Sequence, residues 1–250
     1  LKKDSQLKEK NGVRAINGKV AFSSVELNVH CFEVDGVLID SGAETLLREF
    51  KPFFETVDID KVLITHAHED HTGGARYVQE KYGVPVFINE QSVEKVANKA
   101  KYPLYRQIFW GRRQPFEAQP IGKTFRSRNA TWDVIETPGH TKDHLSFLNR
   151  ETGQLFTGDL FVSPKIKVVL REESMPSIMH SLERVLDYDF DEVFCCHAGY
   201  VENGRQALTE KWENLKELEE RILKKKFIQK FMTKPTRSPS FQWGNGIPSM

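Results

Sequence analysis

The order of apolar and polar positions reads as strands alternating with helices. Leu27 to Val34 has strand character, and Val37–Asp40 pairs with it across Asp35-Gly36, a dipeptide that suits the positive-φ hairpin turn. Leu46, Leu47, Phe50 and Phe53 or Phe54 then recur at helical spacing until Asp58. Val62–Thr65 reads as a buried strand, Ala75–Lys81 as a helix stopped by Gly83, Val84–Ile88 as a strand and Val93–Ala100 as a short helix. Trp132–Glu136, His144–Leu148 and Leu155–Thr157 are further strands. Ile178, Leu182, Val185 and Leu186 mark an amphipathic helix before the strand Glu192–Cys196. A long helix follows through Leu208, Trp212, Leu215, Leu218 and Ile222, supported by Glu217/Arg221 and Glu220/Lys224 pairs. This is α/β order.

Three stretches break the pattern. Residues 1–12 form a polar, Lys-rich lead-in, so the expected domain runs over 13–230, with a tail at 231–250. Lys101–Ala130 carries seven Lys/Arg against the single acid Glu117, interleaved with Tyr102, Tyr105, Phe109, Trp110 and Phe116. That composition fits either a solvated loop with Arg stems lying on aromatic surface or a substrate-facing lid. In the tail, Phe241 and Trp243 are anchors for the body of the protein or for a neighbouring subunit, which makes a homodimer a candidate assembly.

Composition narrows the function only by exclusion. A chain of 250 residues buries a sizeable core, and a formal net charge of +1 provides no global field toward nucleic acid or an anionic membrane. No apolar run approaches the length of a membrane span, and the first residues lack the apolar stretch of a secretory signal. Three cysteines, two of them adjacent (Cys195 and Cys196), are better suited to the cytoplasm than to an oxidising compartment.

The chemistry concentrates in Thr65-His66-Ala67-His68-Glu69-Asp70-His71, which follows a strand and precedes Gly73-Gly74. His140, Asp159 and His197 also sit just past predicted strands, where α/β sheets gather ligands. Imidazole suits zinc, iron, nickel or copper, and carboxylate adds harder donors. His66 and His68, two apart on a turn, can face one ion, while Asp70 and His71 face a second. Five neutral imidazoles and two carboxylates would supply −2 against +4 from two divalent ions, leaving room for a bridging hydroxide and an anionic substrate group. Two ions about 3.5–4 Å apart would lower the pKa of the shared water toward roughly 7 and clamp a developing oxyanion. A lone histidine such as His30 or His180 is better explained as structural or surface.

The run His66-Ala-His68-Glu-Asp70-His71, then His140, Asp159 and His197, resembles the metallo-β-lactamase-fold hydrolase superfamily. Leu38-Ile39-Asp40-Ser41-Gly42, Thr137-Pro138-Gly139-His140-Thr141, Thr157-Gly158-Asp159 and Cys196-His197-Ala198-Gly199 match its other motifs in order. The resemblance covers roughly residues 29–197 and implies a four-layer αββα sandwich of two mixed sheets flanked by helices. By position it implies His66, His68 and His140 at a first metal, Asp70, His71 and His197 at a second, and Asp159 bridging. Asp70 would also take the proton of the nucleophilic water, and Asp40 would orient ligands from behind. His144 is a further orienting or substrate-contact candidate, and Lys165 and Tyr200 are candidates to polarise a substrate carbonyl.

Within that superfamily the acidic residue at 159 argues against a true β-lactamase. The pattern is similar to glyoxalase II and lactonases, which implies hydrolysis of an ester, thioester or lactone of a small anionic substrate with two zinc ions, or iron or manganese. Only one long helix and a short tail follow the fold, in place of the helical domain that glyoxalase II adds to hold glutathione. Two alternatives use the same histidine motif: a mononuclear iron persulfide dioxygenase and a phosphodiesterase or RNA-processing nuclease. For the nuclease the basic segment is short, so nucleic acid is not the expected partner.

Overall fold

The computed structural model describes residues 1–165 and 170–232, with side chains through Lys226; Phe241 and Trp243 lie outside these residues. One sheet has seven strands in the order of the chain: β1 (Lys2–Lys10), β2 (Val13–Phe22), β3 (Val25–Val34), β4 (Val37–Ile39), β5 (Lys61–Leu63), β6 (Val86–Ile88) and β7 (Gln119–Pro120). It is antiparallel up to β4 and parallel from β4 onward. The second sheet runs β8 (Thr124–Arg126), β9 (Thr131–Glu136), β10 (Leu145–Asn149), β11 (Gln154–Phe156), β12 (Glu192–Cys195) and β13 (Gly199–Val201), with only β11–β12 parallel.

Three apolar cores make four layers. Phe32, Leu63, Trp132, Phe147, Phe156 and Phe194 fill the space between the sheets. The outer face of the first sheet is covered by α1 (Leu47–Thr56), whose Phe50, Phe53 and Phe54 are buried, and by α3 (Ala75–Tyr82) with Val78; α4 (Glu90–Val96) adds Val96 to the same core. The outer face of the second is covered by α6 (Met175–Leu186) through Leu182 and Val185, and by the start of α7 (Gly204–Met232) through Leu208 and Leu215. Contacts among Cα atoms divide the chain into Leu1–Leu215 and Lys216–Met250; within the second unit, residues 216–232 continue α7. The architecture is the αββα sandwich expected from the motifs.

Two expectations change. Residues 2–10 are a strand, pairing with β2 from Lys2↔Ala21 to Lys10↔Val13. All nine side chains are exposed, so no buried face imprints alternation on this sequence. Its turn is Asn11-Gly12, both at positive φ (50° and 78°). The basic stretch is also structured: it holds α5 (Leu104–Trp110), β7 and β8. Arg113, buried, ties this region down by donating to the carbonyls of Lys95, Val96, Asn98 and Gln114.

Candidate metal centre

The histidine loop lies between the ends of the two sheets and is anchored to both. Leu145 N of β10 donates to Thr65 O at 2.8 Å, while Asp40 N donates to Leu63 O at 2.8 Å. Asp143 accepts from Ala67 N at 2.8 Å and from the Ser92 hydroxyl at 2.7 Å, which fixes the backbone between His66 and His68. The short helix α2 (Glu69–Thr72) then turns Asp70 and His71 toward the sheets. Gly73 follows because a side chain there would collide with the backbone of Ala43 and Glu44. His71 O accepts from Ser41 N at 2.8 Å and Gly73 N donates to Gly42 O at 2.7 Å, which ties the Asp40–Gly42 loop to α2.

Four of the histidines have one ring nitrogen committed to a partner behind them and the other aimed inward. His71 Nδ1 donates to Asp40 Oδ2 at 2.7 Å, His140 Nδ1 to Glu173 Oε1 at 2.8 Å, and His197 Nδ1 to Asn28 O at 2.6 Å. His66 Nδ1 faces the Thr65 hydroxyl at 3.1 Å, which itself donates to Asp40. These bonds turn the Nε2 of each of the four rings toward Asp159, 3.1–3.9 Å from its Oδ2. His68 is reversed, with Nδ1 3.1 Å from His140 Nε2.

Two triads are His66/His68/His140 and Asp70/His71/His197, each with potential ligand atoms within 4.8 Å of one another; His66/His71/Asp159 and Asp40/His71/Cys196 meet the same limit. Asp159 lies between the first two. Its Oδ2 is 3.1 Å from His197 Nε2, 3.3 Å from His140 Nε2, 3.4 Å from His71 Nε2 and 3.9 Å from His66 Nε2. His66 Nε2, His71 Nε2, Asp70 Oδ1 and Asp159 Oδ1 are buried with no hydrogen-bond partner. Orphaned polar atoms converging on one point are costly in a protein interior unless a ligand satisfies them. The donor set fits divalent ions.

The electrostatics of the protein alone distinguish the triads. Burial and neighbouring imidazoles keep His66 and His68 well below the usual histidine range. Burial also disfavours charge on His71 and His197, but Asp159, with Asp40 and Asp70 beside it, outweighs this; His71 is held well above the ordinary value and His197 at about 9. Burial would raise Asp159, but His197 and His71 reverse this and hold it well below the carboxylate range.

A family profile described as the metallo-beta-lactamase superfamily matches residues 27–197, more than half of the chain. The chain belongs to the metallo-β-lactamase superfamily. It is 30% identical over 172 residues to the lactamase-like protein aptB of Emericella nidulans, covering 67% of this chain and 48% of that protein. It is 28% identical over 151 residues to the atrochrysone carboxyl ACP thioesterase of Passalora fulva, covering 59% of this chain and 39% of that one. The chain thus spans about half or less of these curated relatives. Among solved structures, a metallo-β-lactamase from Pontibacter korlensis shares the fold at a TM-score of 0.65 and 20% identity, with coverage of 85% and 99%.

The remaining motif residues divide clearly. Asp40, fully buried at φ +58°, accepts from Thr65 N (2.8 Å), the Thr65 hydroxyl (2.9 Å), His71 and Cys196 Sγ (3.0 Å), so it fixes the Thr65 backbone and the His71 ring. His144 Nε2 accepts from Asp159 N at 2.9 Å and its Nδ1 faces the Thr137 hydroxyl at 2.8 Å; burial lowers it to about 4. It positions the backbone of Asp159, and Gly158 (φ +51°) precedes that residue because a Cβ would reach within 2.6 Å of the ring. Lys165 is exposed, and Tyr200 packs on Phe194 with Lys10 4.9 Å from its ring centre, so neither is brought to the ligands. Missing from the sequence reading were Glu173, behind His140, and Arg106, held by both carboxylate oxygens of Glu69 and 3.1 Å from Glu172. No motif spacing marks either, since each reaches the site from a separate loop or helix.

Proposed function

We propose that this chain is a dinuclear metal-dependent hydrolase that cleaves an ester, thioester or lactone at the carbonyl. The observation that carries the reading is the place of Asp159 Oδ2, within 3.9 Å of imidazole nitrogens from both triads, as a bridge would require. His66, His68 and His140 would hold one ion, Asp70, His71 and His197 the other, and zinc is the first expectation, with iron or manganese as alternatives. Two divalent ions supply an acidified water and an electrostatic hold on the oxyanion. The chain's own residues do the rest. Asp70 turns Oδ2 toward His71 and His197, at 3.8 and 3.6 Å, and leaves Oδ1 unpartnered to receive the proton of the attacking water. Asp40, Glu173 and Asn28 keep the imidazole tautomers that present Nε2. A substrate reaches this point through a cavity of about 330 Å³ lined by His68, Asp70, His140, Asp159 and His197 together with the apolar Leu27, Tyr105, Trp110 and Val162. The Passalora fulva relative's name favours the thioester among the three bonds. A small anionic substrate, a cytoplasmic setting for three buried free thiols, and a homodimer complete the reading.

A panel of thioester, lactone, phosphodiester and persulfide substrates tests it on metal-loaded protein. Carbonyl substrates should turn over, and Asp70→Ala with metal retained should lower kcat by about 100-fold or more. Oxygen uptake with the persulfide, or phosphodiester cleavage alone, overturns the reading.

A further inference from the structure

Beside the metal-facing cavity lies a second one of about 750 Å³, and His68 and Arg106 line both. The two cavities differ in chemistry. The first has an apolar wall that is poorly covered: Tyr105 is 59% exposed and Val162 46%, with Leu104 next to Tyr105 at 68%. The second is cationic, lined by six Lys/Arg and three acids. Its acids are already committed. Glu69 and Glu172 are paired with Arg106, and Asp143 accepts from Ala67 N and Ser92. Lys95, Lys99, Lys101 and Lys142 are exposed, and none forms an ion pair among the described residues. Arg113 braces this wall through the carbonyls of Lys95 and Asn98 at 3.3 and 3.0 Å. Four unpaired lysines on a braced wall form a local field that a net charge of +1 conceals.

We infer that the two cavities are one bipartite substrate site, for a thioester whose apolar acyl group lies against Leu27, Tyr105, Trp110 and Val162 and whose leaving group carries phosphate along Lys95, Lys99, Lys101 and Lys142. The inference rests on the hydrolase reading and names its substrate class. The scissile carbonyl then falls at the junction, beside His68. In the reaction the C–S bond breaks, a C–O bond forms from water, and the thiol leaves with one of the water's protons, giving a carboxylic acid and a phosphorylated thiol. Arg106 marks the boundary; its guanidinium is neutralised by Glu69 and Glu172, so the phosphate goes beyond it to the unpaired lysines.

The test uses one acyl group on three thiols: neutral N-acetylcysteamine, 4′-phosphopantetheine with one phosphate, and coenzyme A with three. Binding of free coenzyme A to the metal-free protein is measured by calorimetry beside turnover. The wild type should prefer the phosphorylated thioesters in kcat/KM, and Lys99→Ala/Lys101→Ala should cut that preference about tenfold, as should high salt. Coenzyme A binding should weaken in parallel. A preference already complete with phosphopantetheine assigns the groove to the pantetheine phosphate, and a further gain with coenzyme A assigns it to the nucleotide end as well. Equal turnover of all three thioesters, with no coenzyme A binding, overturns the inference and leaves the hydrolase reading intact. Turnover of none with metal bound removes the hydrolase reading, and coenzyme A binding then decides the groove alone. Displacement of coenzyme A by a single-stranded RNA at lower concentration would assign the groove to RNA and overturn the inference.

Discussion

Asp40→Asn separates holding the fold from holding the metal. Four donors converge on the two Asp40 oxygens in the wild type: Thr65 N–H, the Thr65 hydroxyl, His71 Nδ1–H and Cys196 S–H. Asparagine tolerates φ +58° and keeps the shape, but it offers one acceptor oxygen and adds two N–H donors. If its oxygen stays on Thr65, its amide donates to His71 Nδ1 and moves the imidazole proton to Nε2, the atom aimed at Asp159 and Asp70. If it turns over, its amide faces the Thr65 N–H, donor against donor. One buried donor unsatisfied costs about 1–3 kcal/mol, a fall of roughly 2–12 °C in Tm for a protein of this size. Losing the tautomer that presents Nε2 should weaken metal binding by about 10–100-fold. Elemental analysis after dialysis against a metal buffer, with denaturant unfolding of the metal-free protein, separates the two effects. A folded variant that keeps the wild-type metal affinity would refute the tautomer argument.

Three further outcomes follow from the same geometry. Glu173→Gln replaces the carboxylate behind His140 Nδ1 with a neutral acceptor and should lower metal affinity about tenfold, read by chelator competition. His197 is held at about 9 in the metal-free protein while His66 and His68 stay neutral, so at pH 7 the ion entering the His71/His197 position must displace at least one proton. Its affinity should climb with pH up to about 9, and calorimetry in buffers of different ionisation enthalpy should count more protons for the second ion than the first; equal counts would contradict this. Burial lowers His30, whose ring donates to Cys196 O, to about 4 against about 6.5 in the unfolded chain. The native state then binds fewer protons between those values, so this stability is intact above pH 6.5 and is lost as pH falls toward 4. Between pH 7.5 and 4.5, metal-free His30→Asn should lose about 2–3 kcal/mol less than the wild type in urea unfolding.

How much of this was legible in sequence follows from where the physics is local. The histidine loop is, because four donor side chains in six residues at a strand end stand out along the chain, and the fold gathers them beside His140, Asp159 and His197. Strands β3–β6 and β9–β12 are, because burial imposes apolar runs; β1 is not, since its exposed side chains carry no such constraint and only Asn11-Gly12 signals the hairpin. Glu173 and Arg106 reach the site through tertiary contacts, His140 with Glu173 and Glu69 with Arg106, which no spacing along the chain encodes. Tyr200 and Lys165 show the converse. Closeness in sequence to His197 and Asp159 places neither at the metal-facing cavity, because β13 carries Tyr200 onto Phe194 and Lys165 faces solvent.

In the proposed mechanism both triads fill with metal, and hydrolysis depends on it. Titrating zinc into chelator-stripped protein, with thioester hydrolysis and bound metal followed on one sample, tests it directly. Activity should rise until two ions are bound per chain, with loss of the second ion in Asp159→Asn. Saturation at one iron per chain, with oxygen consumed on a persulfide and no thioester cleaved, would contradict it.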